Sequence, residues 1–504
     1  MKTQAIHRDF AAFGLVIQRD ALIYLQEILS STKNPKNLLQ TILQNITNTS
    51  TDSLISKSMI EEVFKSIKKS ENPTHHIFGF QNAFEMPKIA FDLTERNMAF
   101  VDKPKSIIGD ANDKLNVYLE RYQILKTCLL HIPLFQASKF SFNIGSNKSL
   151  SITSIASLLS LEDSSVIILG FIDNDGGQIL LEDTTGVVPL NINNINPANG
   201  IFSVGSIVLV QGDYHDNTVF CSLIGHPPAI DYDTFIQLFW KLPTDPFGWE
   251  LKNDAITELE ELLESEHSDS LILFFSDVWC DVPSAIDSFN YALSQYDQSP
   301  PNVIVICGSF VSQPIAFDQY QKFTKQFSKF SDVIKSHKTI YDNTQIVIVP
   351  SLNDIGSPHV FPRTSFPSVF KSMLPNAHFM SNPCRIRFLN QTITIFRDDL
   401  LKRFSNSHIL PVPESESYKN MLTTILDQRH LCPVDLDHSP VLWTYDYAMR
   451  LFPPPDVLAI CDSCPSWTEK YAGCCSFNPG QFGNDGTFIQ YFPLSKEAEI
   501  TTLK

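Results

Sequence analysis

Apolar residues near the start of the chain recur at spacings of three and four. Leu22, Leu25 and Leu29 form one such set, Leu39, Ile42, Leu43 and Ile46 a second, and Ile60, Phe64 and Ile67 a third. This period puts each set on one face of a helix. Pro35 and the polar run Asn45–Asp52 separate the segments. A small helical domain is expected over residues 1–72. Residues 73–118 hold no sustained period. Pro73, Pro87, Pro104 and the polar stretch Gly109–Lys114 read as a linker, so the first domain should detach near Asn116. The segment LERYQILKTCLL, residues 119–130, then predicts one amphipathic helix.

Beyond residue 151 the period falls to two. Short apolar or alternating runs at 166–172, 178–182, 187–192, 206–211 and 218–224 are divided by the turn sequences DNDGG, TTG and HDN. About five strands within so short a span predict a small barrel, for which the oligonucleotide-binding (OB) fold is the common form. This domain, with its preceding helix, is expected over 119–245. From about residue 265 fully apolar runs end in polar loops: SLILFFSD, NVIVICGS and TQIVIVPSLND, then RIRFLN, TITIF, DVLAICD and TFIQYF. Strands apolar on both faces, alternating with helical stretches, predict a sheet covered on both sides over 246–504. The fold class is multidomain α+β. In such sheets chemistry sits at the carboxyl ends of strands.

Composition narrows the choice of partners. The 504 residues carry 38 basic and 55 acidic side chains, a net charge of −17. Such a chain is a poor free-standing binder of nucleic acid or membrane. The barrel segment sharpens this point. Residues 151–226 contain no Lys or Arg but eight acids: Glu162, Asp163, Asp173, Asp175, Glu182, Asp183, Asp213 and Asp216. A barrel that grips single strands needs a basic groove with stacking aromatics. This one reads as a protein–protein module. No apolar run reaches membrane-spanning length, and the scattered cysteines fit a reducing compartment.

Two metal-site readings are weak. Cys461 and Cys464, followed by the adjacent Cys474 and Cys475, lack two separated ligand pairs for tetrahedral zinc, so buried thiols are the expectation. The run Asp173-Asn174-Asp175-Gly176 lacks the distal Glu of a calcium loop, and a strand turn explains it. No cofactor is expected.

The strand ends carry the informative positions: Asp277, Trp279, Gly308, Ser309, Leu352, Asn353, Asp354, Ile460 and Asp462. Their order resembles that of calcineurin-like metallophosphoesterases, which place D-x-H, G-D, G-N-H-[DE] and G-H-x-H at strand ends to gather two metals. The ligands do not survive. Trp279 stands where the first His belongs, Gly308-Ser309 lacks the bridging carboxylate, and Leu352 and Asn353 replace the Asn and His. Ile460 and its neighbours replace the late His residues. His430 is the one candidate for a remaining imidazole. Asp277 with one His cannot hold two metals. Trp279 and Ile460 would fill the vacated pocket.

The stretches LERYQIL (119–125), LLEDTTGVVPLNI (180–192), SNPCRIRF (381–388), QRHLCP (428–433), DVLAICD and FNPGQF (477–482) complete the pattern. Together they resemble the B-subunit family of eukaryotic replicative DNA polymerases, in which an OB fold is coupled to an inactivated phosphoesterase domain. The N-terminal segment from FGLVIQRDALIYL and the tail bring the resemblance nearest the epsilon branch, with the delta and alpha branches, or an active metallophosphoesterase, as alternatives. The resemblance implies a nuclear, non-catalytic accessory subunit that clasps the C-terminal region of the catalytic subunit. It further implies a link to the replicative helicase assembly through the N-terminal domain, and contact with DNA only through the complex.

Overall fold

The computed structural model describes residues 77–504, apart from 93–96, 102–105, 136–149, 250–252, 315–318 and a few single positions, together with scattered residues of 1–76. It divides into two compact units, Met1–Phe78 and Gly79–Lys504.

In the first unit, strands β1 (Val16–Ile17) and β2 (Leu54–Ile55) pair in parallel. Phe10, Leu22, Leu25, Leu39, Ile55 and Ile60 belong to one buried apolar cluster. Leu29, Ile42, Leu43, Ile46, Phe64 and Ile67 lie outside the described residues. Two-residue strands are too short to leave a periodic signal, so the pairing had no counterpart in the helical expectation.

The expected linker, 73–118, is a correction. Strand β3 (Phe78–Asn82) is the edge of a six-stranded sheet, and β4 (Lys88–Asp92) pairs antiparallel with β5 (Asn97–Val101). Helix α1 (Ala111–Leu130) begins at a capping box in which Asp110 and Asp113 satisfy each other's backbone N–H. The hairpin packs on this helix. Ile89 and Met98 share a core with Ile124 and Cys128, and Lys88 Nζ meets Glu120 at 2.5 Å. Cutting the chain at Asn116 would strip three strands and the helix cap from the larger unit. Five-residue strands flanked by prolines carry too little pattern to be distinguished from a tether.

Strands β6 (Ser164–Asp175), β7 (Gln178–Asp183), β8 (Gly186–Asn191), β9 (Ile207–His215) and β10 (Thr218–Gly225) close a barrel in the order β10-β8-β7-β6-β9. Contact between β8 and β10 is parallel and all the other pairs are antiparallel, which is the OB arrangement. Inward residues such as Ile168, Ile172, Leu181, Val208, Val210 and Val219 fill the core.

The remaining residues form two six-stranded sheets. In the first, β11 (Ile272–Ser276), β12 (Val303–Cys307), β13 (Gln345–Val349) and β14 (His378–Phe379) are parallel, with helices α2 (Pro283–Ser294) and α3 (Tyr320–Ser336) among the connections. The second is built around β15 (Cys384–Phe388), β16 (Gln391–Arg397) and β17 (Val457–Cys461). Alternation along the strands separates the layers. Leu273 and Phe275 face the helices in a core with Phe289, Phe327 and Phe330, whereas Phe274 meets Phe477 of the second sheet at 4.8 Å. On β17, Leu458 and Ile460 face outward into a second core with Met421, Ile425 and Leu431.

Helix α4 (Leu400–Ser407) follows β16, and helix α5 (Ser417–Gln428) covers the second sheet. The apolar face of α5, Met421, Leu422, Ile425 and Leu426, joins that outer core. Its polar face grips the barrel. Asn420 Oδ1 accepts from Gly200 N at 2.9 Å, and Thr424 Oγ1 from Ile201 N at 2.7 Å. Gln428 accepts from Ile207 N at 3.0 Å and donates to Ile207 O at 2.6 Å and His226 Nδ1 at 2.9 Å. His226 stacks on Phe202 with ring centres 4.5 Å apart, and burial lowers its pKa to about 4. Gly200, at φ +123°, has no room for a side chain against that ring.

Candidate functional site

The carboxyl ends of β11, β12, β13, β16 and β17 converge, bringing residues of both sheets together. Asp277 follows β11 and is buried, with a left-handed backbone (φ +57°) of the kind that Asp tolerates better than most residues. Arg397, the last residue of β16 in the opposite sheet, holds it from two directions. Arg397 Nη2 lies 2.9 Å from Asp277 Oδ1 and 3.2 Å from Oδ2. Its Nε donates to Gly308 O at 2.5 Å, and Nη1 reaches Asp399 Oδ1 at 2.8 Å. Ser309 N adds a 2.5 Å bond to Asp277 Oδ1. Burial works against the charged guanidinium, but the Asp277 and Asp399 carboxylates outweigh it and hold the Arg397 pKa above its ordinary value.

A second knot lies beside the first. Asp354 accepts from Phe310 N and Ser351 N, each at 2.8 Å, and Ser351 Oγ is 2.9 Å from Ser309 Oγ. A side chain at position 308 would collide with Asp354, so the close approach requires glycine. Burial raises the Asp354 pKa despite Arg363 nearby, whose guanidinium donates to the carbonyls of Leu352, Asp354 and Ile355 at 2.9, 2.6 and 3.0 Å. Asn353 closes the turn with its N–H on Ser351 Oγ at 3.2 Å. A cleft of about 250 Å³ opens here, lined in part by Leu352, Asn353, Asp399 and Lys402.

Asp462, after β17, accepts from Leu401 N at 2.9 Å and Cys464 N at 3.1 Å, and burial pushes its carboxyl up to about 6. The adjacent Ser463 N–H reaches Asp399 Oδ1 at 3.3 Å, and Asp399 pairs with Arg397. His430 belongs elsewhere. Its Nε2 faces Asp446 at 3.2 Å and its Nδ1 accepts from Cys432 N at 3.0 Å. Asp446 also pairs with Arg121 and Arg450, and Arg450 reaches Glu120 at 2.8 Å. This buried cluster ties helix α1 to the α/β unit. Burial, reinforced by Arg121, lowers the His430 pKa to about 4. Burial opposes ionisation of Asp446, but Arg121, His430 and Arg450 hold it well below the usual carboxylate range.

Two expectations therefore change. His430 is not an imidazole of the strand-end site, because its partners are the cluster around Asp446. Ile460 and Trp279 do not jointly fill a pocket. Ile460 points with Leu352 into the outer core, and Trp279 is half-buried against Gly483. The four late cysteines have separate surroundings: Cys461 neighbours Cys307, Cys464 Sγ lies 3.2 Å from Asn478 Nδ2, and Cys474 Sγ accepts from Ser476 Oγ at 3.6 Å. Cys475 pairs across from Val457 and Lys470. Among the described residues, no group of three or more His, Cys, Asp or Glu is arranged to hold a metal ion. What the strand ends supply is a cross-tie between two sheets. Arg397, its central residue, was missed in the sequence, although TITIFRDD carries it at the end of an apolar strand where site residues belong.

A closed OB barrel fastened to a two-sheet α/β unit is the domain pairing of the polymerase B subunits. The family model for the B subunit of DNA polymerases alpha and epsilon matches residues 272–469, and that of the OB-fold domain of DNA polymerase epsilon subunit 2-like proteins matches residues 111–228. Over these two stretches the chain is similar to the alpha/epsilon B-subunit family. It is 28% identical to the B subunit of DNA polymerase epsilon from Arabidopsis thaliana, covering 100% of this chain and 99% of the relative. It is also 28% identical to DNA polymerase epsilon subunit 2 of Mus musculus and of Homo sapiens, with 99% of this chain and 98% of each relative covered. A solved archaeal phosphodiesterase covers 46% of this chain and 99% of its own at 13% identity, with a TM-score of 0.27, a likeness too loose to add to the assignment.

Proposed function

We propose that this chain is a non-catalytic accessory subunit of DNA polymerase epsilon, acting in the nucleus. Its barrel and α/β unit clasp the C-terminal region of the catalytic subunit, and its N-terminal residues, 1–72, connect the polymerase to the replicative helicase assembly. The observation that carries this reading is the end-to-end similarity to relatives that carry the epsilon name. The absence of basic residues in 151–226 supports a protein-binding rather than DNA-binding barrel. Co-purification tests it. The tagged full chain expressed with the catalytic subunits of polymerases alpha, delta and epsilon should retain the epsilon subunit alone, and retention of a different one sinks the assignment.

The α/β unit, on this reading, is a phosphoesterase fold without its chemistry. Asp277, Trp279, Gly308, Ser309, Leu352, Asn353, Asp354, Ile460 and Asp462 mark the former ligand-bearing strand ends. The Arg397 guanidinium, pressed against Asp277, puts positive charge where a metal would need negative ligands. Elemental analysis of the purified chain should find no stoichiometric manganese, iron or zinc, and phosphodiester hydrolysis should stay at the buffer rate. Two metal equivalents, with activity abolished by Asp277→Ala, overturn this part.

A further inference from the structure

Between helix α1, the rim of the barrel and the loop 435–438 lies a groove of about 570 Å³. Its floor is apolar and aromatic. Tyr118 and Phe171 meet edge to face at 4.9 Å, and Ile207 and Leu436 continue the surface. At the mouth, Leu115 is 56% exposed, and one turn further along α1, beyond the lining, Leu119 is 39% exposed. Exposed leucines at i and i+4 beside an open aromatic floor form an apolar stripe that no element among the described residues covers.

The rim is acidic. Asp173, Glu182 and Asp183 stand on the barrel side, and Asp435 and Asp437 on the loop side. Asp183 and Asp435 are occupied with local bonds: Asp183 accepts from Ile155, Thr185 and Gly186 N–H groups, and Asp435 holds His438 Nδ1 at 2.7 Å. The carboxylates of Glu182 and Asp437 have no hydrogen-bond or ion-pair partner among the described residues, and they line the groove from the barrel side and the loop side respectively. The only Lys or Arg in the described lining is Lys114, which lies over the Trp443 ring.

We infer that this groove docks a segment of a partner protein in which a bulky apolar anchor is flanked by lysines or arginines. Charge complementarity sets the flanks, because an unpaired carboxylate on each side favours a cation at each edge. The aromatic floor and exposed leucines set the anchor. Nucleic acid is the wrong sign for the rim, since its phosphates would face five carboxylates. The inference stands apart from the polymerase assignment, because it rests on the groove alone.

A fluorescein-labelled synthetic peptide tests it, with a Leu–Trp pair flanked by two arginines on each side. Anisotropy is followed against the full chain at low salt. The peptide should bind, and the Glu182→Lys, Asp437→Lys double variant should weaken it by about tenfold or more. Leu115→Ser should weaken it too, with thermal midpoints unchanged because these side chains are exposed. A peptide with Ser in place of Leu–Trp, or spermine, should bind far less well. Failure of the Leu–Trp peptide to bind, indifference to the charge reversal, or equal binding of the Ser peptide or spermine would each overturn the inference. A single-stranded oligonucleotide competing for the same groove would do so as well.

Discussion

Replacing Gln428 with Leu should loosen the barrel from the α/β unit. The wild-type amide accepts from Ile207 N and donates to Ile207 O and His226 Nδ1, and Ile207, His226 and Gln428 are all buried. Leucine nearly matches the volume of the side chain but offers no polar atom. It leaves a backbone N–H, a carbonyl and a ring nitrogen without partners in a site closed to water. Each of the three orphaned groups costs about 1–3 kcal/mol, while the extra apolar burial returns about 1 kcal/mol, so the net loss is about 2–8 kcal/mol. A chain with several domains does not unfold in one step, so a global midpoint is a poor reporter. Amide hydrogen exchange at Ile207 is a direct one, because that N–H loses its acceptor. It should accelerate at least about thirtyfold, as a loss of about 2 kcal/mol dictates. Gln428→Glu, which keeps an acceptor but loses both donors, should fall between. Unchanged Ile207 protection in Gln428→Leu would refute the view that this side chain fastens the barrel.

Protonation should act on the same joint: His226, depressed from 6.5 to about 4 by burial, contributes fully above pH 6.5 and loses its contribution as pH falls towards 4. Over that window Ile207 protection, corrected for intrinsic exchange, should fall, and a flat profile would contradict a neutral His226 acceptor. Asp427 has the opposite sign: burial raises its carboxyl from 3.8 to about 6, so the carboxyl favours folding below pH 3.8 and its contribution is lost as pH rises through 6. Asp427→Asn, which keeps the acceptor oxygen used by Ala229 N and the Tyr471 hydroxyl, should raise the stability of the α/β unit, followed by amide exchange there, at pH 8 but not at pH 4, and an equal effect at both values argues against the assignment. Arg397→Met should destabilise the α/β unit by about 3–5 kcal/mol by leaving the buried Asp277 without its counter-ion. Adding Asp277→Asn, which keeps an acceptor for Ser309 N and tolerates the left-handed backbone, should recover much of the loss, and additive losses in a double-mutant cycle count against a direct tie.

Much of the architecture is legible in the residue pattern because the signals are local. Alternation over five short runs between turn sequences reports a barrel whose strands β6–β10 fall on those runs, and apolar strands such as ILFFS and VIVIC report a sheet covered on both faces. The failures occur where the determinant is remote. Strand β3 is half-buried with no alternation, and it is a strand only because β15, some 300 residues away, offers its edge. The polar face of α5 was equally hidden. Asn420, Thr424 and Gln428 look like a solvated stripe in sequence, but each has a buried partner in the barrel. His430 stood near enough in sequence to the late strands to suggest a ligand, yet the fold delivers it to Arg121, Arg450 and Asp446.

The strand-end site shows a structural use for the carboxylates whose order resembles the phosphoesterase motifs. A strand end in the middle of a sandwich exposes backbone N–H groups and carbonyls that must be satisfied whether or not a metal is bound. Here Asp277 and Asp354 still accept from Ser309, Phe310 and Ser351, and these bonds hold the loops after β11, β12 and β13 in register. Both carboxylates therefore have structural roles. Buried carboxylates require compensation, and in this chain it comes from arginines on other elements: Arg397 against Asp277, and Arg363 beside Asp354. A bound cation exchanges with solvent and needs open coordination positions, whereas a guanidinium fixed to β16 does not. The result is a rigid strand-end surface, and rigidity of that kind favours docking by limiting the conformational entropy lost when a partner binds.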